Sequence, residues 1–318
     1  MLTVWRFTDG KRGHENQSLG LVEALCRLAD CRVETLTVAK AWPHFLSWLL
    51  GRFPAEKSLP RPDLILGAGH ATHWAMLAAR RAHGGKIAVL MKPSLPLSWF
   101  DWVIAPAHDG LTESASVLTT QGAINRIRPS STQDARRGLM LIGGPSAEYG
   151  WSETALLKQI HLIALHRPEV AWQLTTSRRT PAGFLANLAK LGLPNVKAVG
   201  HDEVSSGWLP EQFALAAQAW VTPDSASMVY EALTSGAAVG VFDLPYARPG
   251  RVARGLEKLA QENRLTAFSD WERSGKLQAN IQALNEAERC ARQLLQCLRN
   301  APSPPRGESG GGLKAVRP

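Results

Sequence analysis

The run VTPDSASMVYEALTSGAAVGVFDLP, from Val221 to Pro245, constrains the fold of this chain more than any other stretch. It is entered by an apolar segment, Leu215 to Val221, in which Gln218 is the only polar residue, and it turns at Thr222-Pro223-Asp224-Ser225. Apolar residues then recur at Met228, Val229, Ala232 and Leu233, which is the spacing of an amphipathic helix. Ser235-Gly236 ends that helix ahead of a buried strand from Ala238 to Phe242. Strand, turn, helix and strand in succession predict an α/β fold.

The turn carries the chemistry. Asp224, Ser225 and Ser227 place capping oxygens and unpaired backbone N–H groups at a helix N-terminus, where an anion is electrostatically favoured. Glu231 follows about two turns in, where a carboxylate can accept hydrogen bonds from ribose hydroxyls. A nucleoside diphosphate satisfies both features, and a capped helix of an ordinary α/β domain accounts for Asp224 and Gly236 equally well.

The segment resembles the donor-binding motif of glycosyltransferases of the two-domain GT-B architecture, in which an S/T-rich turn precedes a helix with E-A and a small-residue stop. Asp224, Ser225, Ser227, Met228, Glu231, Ala232 and Gly236 match it. TDGKRGHENQSLGL at Thr8 to Leu21, LIGGPS at Leu141 to Ser146 and TTSRRT at Thr175 to Thr180 extend the likeness over residues 3–275. Together these motifs resemble one family, the elongated-mitochondria (mitochondrial fission) family. The resemblance implies two Rossmann-like domains facing across a cleft, with a nucleotide-sugar donor in the second and an acceptor in the first. Plant members are associated with organelle fission, whereas bacterial relatives resemble envelope-sugar transferases.

Length agrees with two domains, since 318 residues exceed what one core usually fills. The polar stretch PSSTQDARR, Pro129 to Arg137, reads as the linker. It separates an acceptor-side domain, 1–130, from a donor domain, 138–275. A terminal helix at 276–299 is expected to cross back to the first domain, and the tail 300–318 lacks the apolar content needed for order.

In the first half, strand Leu2 to Phe7 runs into the basic, glycine-containing loop Asp9 to His14, followed by a helix from about Gln17 to Ala29. Such a loop suits a diphosphate or an acceptor hydroxyl. His14 is the candidate general base, with Asp9 the alternative, because an imidazole near neutrality can take a hydroxyl proton; packing or capping at the helix start is the plainer role. The neighbouring Lys11 and Arg12 are expected to favour a neutral imidazole. Further strands end at Gly69-His70, Lys92 and His108. Ligands of open parallel sheets bind outside the carboxyl ends of strands. Lys11, Gly13, Gly69, His70 and Lys92 are therefore the acceptor-side candidates.

In the second half, Gly143-Gly144-Pro145-Ser146 ends the first strand, and Gly144 and Ser146 are assigned to the donor. Ser177-Arg178-Arg179-Thr180 ends the next, and Ser177 and Arg178 are assigned to the diphosphate, since guanidinium pairs well with phosphate oxygens. Neither G-x-G-x-x-G nor G-x-x-x-x-G-K-S/T occurs, which leaves nicotinamide, flavin and NTPase chemistry unsupported.

The net charge of +9 points to anionic partners: nucleotide sugars, an acidic membrane surface or nucleic acid, the last without a recognisable motif. Cys26, Cys31, Cys290 and Cys297 form no C-x-x-C pair, so structural thiols in a reducing compartment are expected, with no metal site. No apolar run is long enough to span a bilayer, which predicts a cytoplasmic protein. The aromatic segment Ala41 to Phe53 either lies at the inner membrane face or packs on the sheet.

Two functions follow. One is a metal-independent glycosyltransferase with no cofactor beyond its nucleotide-sugar substrate, acting on an envelope or lipid-linked glycan. The other is a non-catalytic adaptor that recruits a partner to a membrane.

Overall fold

The computed structural model describes residues 1–38, 42–53, 59–205, 207–248 and 250–300; the side chains of residues 42 and 43 are also outside the description. The expected tail therefore falls, from 301 on, outside the described residues, as does part of the 41–53 segment.

The first half runs β1 (Leu2–Thr8), α1 (Arg12–Leu28), β2 (Cys31–Thr37), α2 (Trp42–Leu49), β3 (Leu64–Ala68), α3 (His73–His83), β4 (Lys86–Leu90), β5 (Trp102–Pro106) and β6 (Val117–Thr120). The second runs β7 (Asp134–Leu141), α4 (Glu153–His166), β8 (Ala171–Thr175), α5 (Phe184–Ala189), β9 (Val196–Val199), α6 (Trp208–Leu215), β10 (Ala216–Val221), α7 (Ala226–Ser235), β11 (Ala238–Val241), α8 (Arg251–Gln261), β12 (Thr266–Ala267) and α9 (Phe268–Ser274). Helix α10 (Glu286–Asn300) closes the description.

Each half is a six-stranded parallel sheet, in the orders β2-β1-β3-β4-β5-β6 and β12-β11-β10-β7-β8-β9. The fold is two Rossmann-like domains. Helices cover both faces, so inner strands such as β3 and β5 are apolar along their length, with every residue buried. Strand order reverses between β1 and β3 in one sheet and between β7 and β10 in the other. Those two reversals open the crevices where α/β sheets bind ligands.

Helix α1 begins at Arg12, five residues before the sequence suggests, so Gly13 and His14 lie in its first turn and not in a loop. The cause is Arg6, buried on β1. Its guanidinium donates to Glu15 at 2.8 Å and to Ser18 at 3.0 Å, residues three apart on one helical face. Satisfying a buried cation requires that this turn be helical.

Helix α2 turns its described aromatic rings inward. Phe45 and Trp48 pack against Trp74, and Trp48 stacks on Trp99 with ring centres 5.6 Å apart, so these rings face the domain. Among the described residues no helix is long and apolar enough to cross a membrane.

Helix α10 returns to the first domain. Its Ala287, Cys290, Ala291 and Leu294 join Leu21, Val22 and Leu25 of α1 in the core beside β1 and β3. Burial pushes the Cys290 thiol up to about 12, in keeping with a structural role. Replacing the fully buried Leu294 with Ala leaves a cavity under α10. Leu294→Ala should cost about 2–5 kcal/mol of stability, read as a lower midpoint in urea unfolding; an unchanged midpoint would mean that α10 contributes no core.

Candidate functional site

At the first switch point the carboxyl end of β1 delivers Asp9, whose side chain is 4% exposed. Its two oxygens lie 2.9 and 3.0 Å from Nδ1 of His14, and one also accepts the Lys11 amide at 3.2 Å. An ionised carboxylate only accepts, so Nδ1 carries a hydrogen, and in the neutral imidazole the lone pair is then on Nε2. Asp9 is thus the group that orients His14. The carboxylate, not the charges of Lys11 and Arg12, is the imidazole's nearest charged neighbour. The ring lies against Gly69 at the end of β3, where φ is +87° and a Cβ would strike the imidazole, so glycine is required.

Asp9, Lys11, His14 and Gly69 are therefore brought together. Gly13 faces open space in the first turn of α1. His70 is exposed beyond Gly69, and Lys92 turns to Asp109, placing its Nζ 3.5 Å from that residue's carbonyl. The structure does not join these two to the Asp9–His14 pair.

At the second switch point the loop after β7 meets the turn after β10. The Gly143 amide donates to Thr222 Oγ1 at 2.7 Å, and the Gly144 amide donates to Asp224 Oδ2 at 3.1 Å. A Cβ on Gly143 would collide with the Asp224 carboxylate. Asp224 therefore faces back across the sheet instead of capping α7. Ser225 occupies the cap position without a side-chain capping bond, so side chains leave the first-turn amides of α7 available.

The guanidinium partner of Asp224 is Arg179. Arg178, the residue assigned to the diphosphate, is exposed and has no ion pair among the described residues. Ser177 and Thr180 close the intervening turn, and Thr180 Oγ1 pins it to the Ile142 carbonyl at 3.0 Å. Ser146 accepts the amides of Glu148 and Tyr149 within its own turn, and Met228 packs on the second core.

Glu231 joins the two domains. Its Oε1 accepts Asn16 Nδ2 from α1 at 2.9 Å and Ser227 Oγ at 3.4 Å. Desolvation raises its pKa to about 7, opposed by those two hydrogen bonds. A second bond across the domains runs from Asn125 to Thr234 at 3.1 Å. Asn16 lies inside the TDGKRGHENQSLGL motif, yet nothing in its spacing identifies Glu231 as its partner.

A family model described as Mitochondrial fission ELM1 matches residues 12–298. Among solved structures, a Listeria monocytogenes protein described as a UDP-N-acetylglucosamine 2-epimerase superposes with a TM-score of 0.57 at 12% identity, covering 94% of this chain and 96% of that one. A Neisseria meningitidis UDP-GlcNAc 2-epimerase bound to UDP-GlcNAc gives 0.52 at 14% identity, covering 93% and 100%. These likenesses show the fold. No protein of curated function matches the chain in sequence.

The raised pKa of Glu231 has a measurable sign. Between about pH 4.5 and 7 the folded state holds a proton that the unfolded state has released, so stability falls as pH rises through this window. The contribution is about 3 kcal/mol between pH 5 and 8. Glu231→Gln keeps an acceptor for Asn16 but cannot titrate, so it should flatten this part of the stability profile in denaturant titrations. A profile that keeps its slope in the variant would place the titration elsewhere.

Proposed function

The chain belongs to the mitochondrial fission ELM1 family, and from that premise we propose that it is a glycosyltransferase drawing on a nucleotide sugar. The observation that carries this reading is the 2.9 Å bond from Asn16 to Glu231. It ties the helical turn bearing His14 to the helix whose first turn suits a diphosphate. A candidate base and a candidate donor site thereby share one cleft, and a protein of the same fold holds UDP-GlcNAc.

In this reading the diphosphate lies at the first turn of α7, with Arg178 supplying the unpaired positive charge. Glu231 accepts a ribose hydroxyl, sharing its oxygens with Asn16. The acceptor hydroxyl donates to Nε2 of His14, which takes the proton as the new bond to the anomeric carbon forms and the bond to the diphosphate breaks. Asp9 stabilises the imidazolium that results.

The proposed acceptor is an envelope or lipid-linked glycan met at the inner membrane face. Its support is a set of outward leucines: Leu46, Leu49 and Leu50 are 45%, 55% and 67% exposed, beside Arg52 and Arg81. Apolar side chains flanked by cations suit the boundary of an acidic bilayer. Leu49→Asp with Leu50→Asp should abolish flotation with anionic liposomes at low salt, and flotation that persists would remove the membrane contact.

His14→Ala should lower turnover about 100- to 10,000-fold with little change in nucleotide affinity. Joint loss of turnover and nucleotide binding would make His14 a ligand contact, and full activity would clear it of a role. Wild-type protein that floats with membranes but binds no nucleotide would favour the adaptor instead.

A further inference from the structure

Away from the two switch points the domains border an open cavity of about 410 Å³ that none of the residues assigned above lines. One wall is α8; the other is formed by the ends of β5 and β6, including His108 and Gln121. Arg251, Arg254 and Lys258 project from α8 at intervals of three and four residues, the spacing of one helical face.

Their pairing with carboxylates is partial. Arg251 forms a long ion pair with Asp109 at 3.8 Å and Lys258 one with Glu262 at 3.7 Å, a carboxylate that also lines the cavity, while Arg254 has no ion pair among the described residues. The helix terminus itself is occupied: the Glu148 carboxylate accepts the Val252 amide at 3.3 Å and the Ala253 amide at 2.9 Å. Any anion in the cavity would therefore be held by side chains and not by the α8 amides. Leu259 and Tyr230 supply an apolar floor, and the volume lies in the range of about 300–1,000 Å³ typical of small-molecule sites. Three cations against the one carboxylate of Glu262 leave the lining net positive, which attracts an anionic solute.

We propose that this cavity is an anion site for a phosphorylated sugar, the phosphate held by Arg254 and Lys258 and the ring resting on Leu259 and Tyr230. It deepens the transferase reading, on which the identification of this sugar as part of the acceptor rests. Tyr230 lies beside Glu231 in sequence, so such a ligand would sit against the donor helix without taking the donor's contacts.

The test is calorimetric titration of glucose 1-phosphate into UDP-saturated protein at low salt, with glucose as the neutral control. Arg254→Ala with Lys258→Ala should weaken glucose 1-phosphate at least tenfold and leave UDP affinity within twofold. Both positions are exposed, and an unchanged melting curve would verify folding. Equal affinity in the two proteins, or no binding to the wild type, would overturn the proposal. Equal weakening of UDP would also overturn it, by making the cavity part of the donor site. Wild-type protein that binds no UDP but still binds glucose 1-phosphate through these cations would support the anion site while removing the transferase reading.

Discussion

A carboxylate withdrawn from water between two domains sets the terms for this structure. Burying Glu231 is costly unless hydrogen bonds replace its hydration, and the replacements come from Ser227 on its own helix and Asn16 on the other domain. The cheapest way to satisfy the group is therefore to keep the N-terminal turns of α1 and α7 together. Closing the cleft and desolvating the carboxylate are one event, and a ligand offering hydroxyls to Glu231 would enter into the same balance.

The two switch points use the same device. In each, an aspartate just beyond a central strand turns its carboxylate onto the neighbouring loop. Asp9 fixes the His14 imidazole and the Lys11 amide, while Asp224 fixes the Gly144 amide and the Arg179 guanidinium. Glycines at Gly69 and Gly143 give the fixed groups room. Asp9 thereby braces the first turn of α1, whereas Asp224 braces the loop after β7. His14 turns Nδ1 to Asp9, and Arg178 is left exposed without an ion pair among the described residues.

Much of this was legible in the sequence for a physical reason. Parallel strands covered on both faces are short apolar runs, and the helices between them carry a period that survives without knowledge of the fold. The strand, turn, helix and strand around α7 lie within about one residue of where the periodicity puts them. What escaped depended on contacts between distant residues. The early start of α1 follows from Arg6 needing Glu15 and Ser18; Arg178 and Arg179 are indistinguishable until one is seen to reach Asp224; and Asn16 has no signal except its presence in a motif. Strands β6 and β12 and helix α9 are too short to show a period.

Both passages of the chain between the domains run past the same end of α7. Going out, the Ser130 amide and the Gln133 side chain donate to the Ser235 carbonyl at 3.1 and 3.0 Å. Coming back, Asn280 Nδ2 and the Leu284 amide donate to the Leu233 carbonyl at 2.9 and 3.3 Å. Two tethers fastened side by side restrain the domains at one place, the carboxyl end of a helix that carries Ser227 in its first turn and Glu231 near its middle. Helix α7 is in that sense a common anchor: the tethers fasten to its carbonyls at one end, and its Glu231 and Thr234 meet Asn16 and Asn125 of the other domain, so the placement of one domain against the other is referred to this single helix.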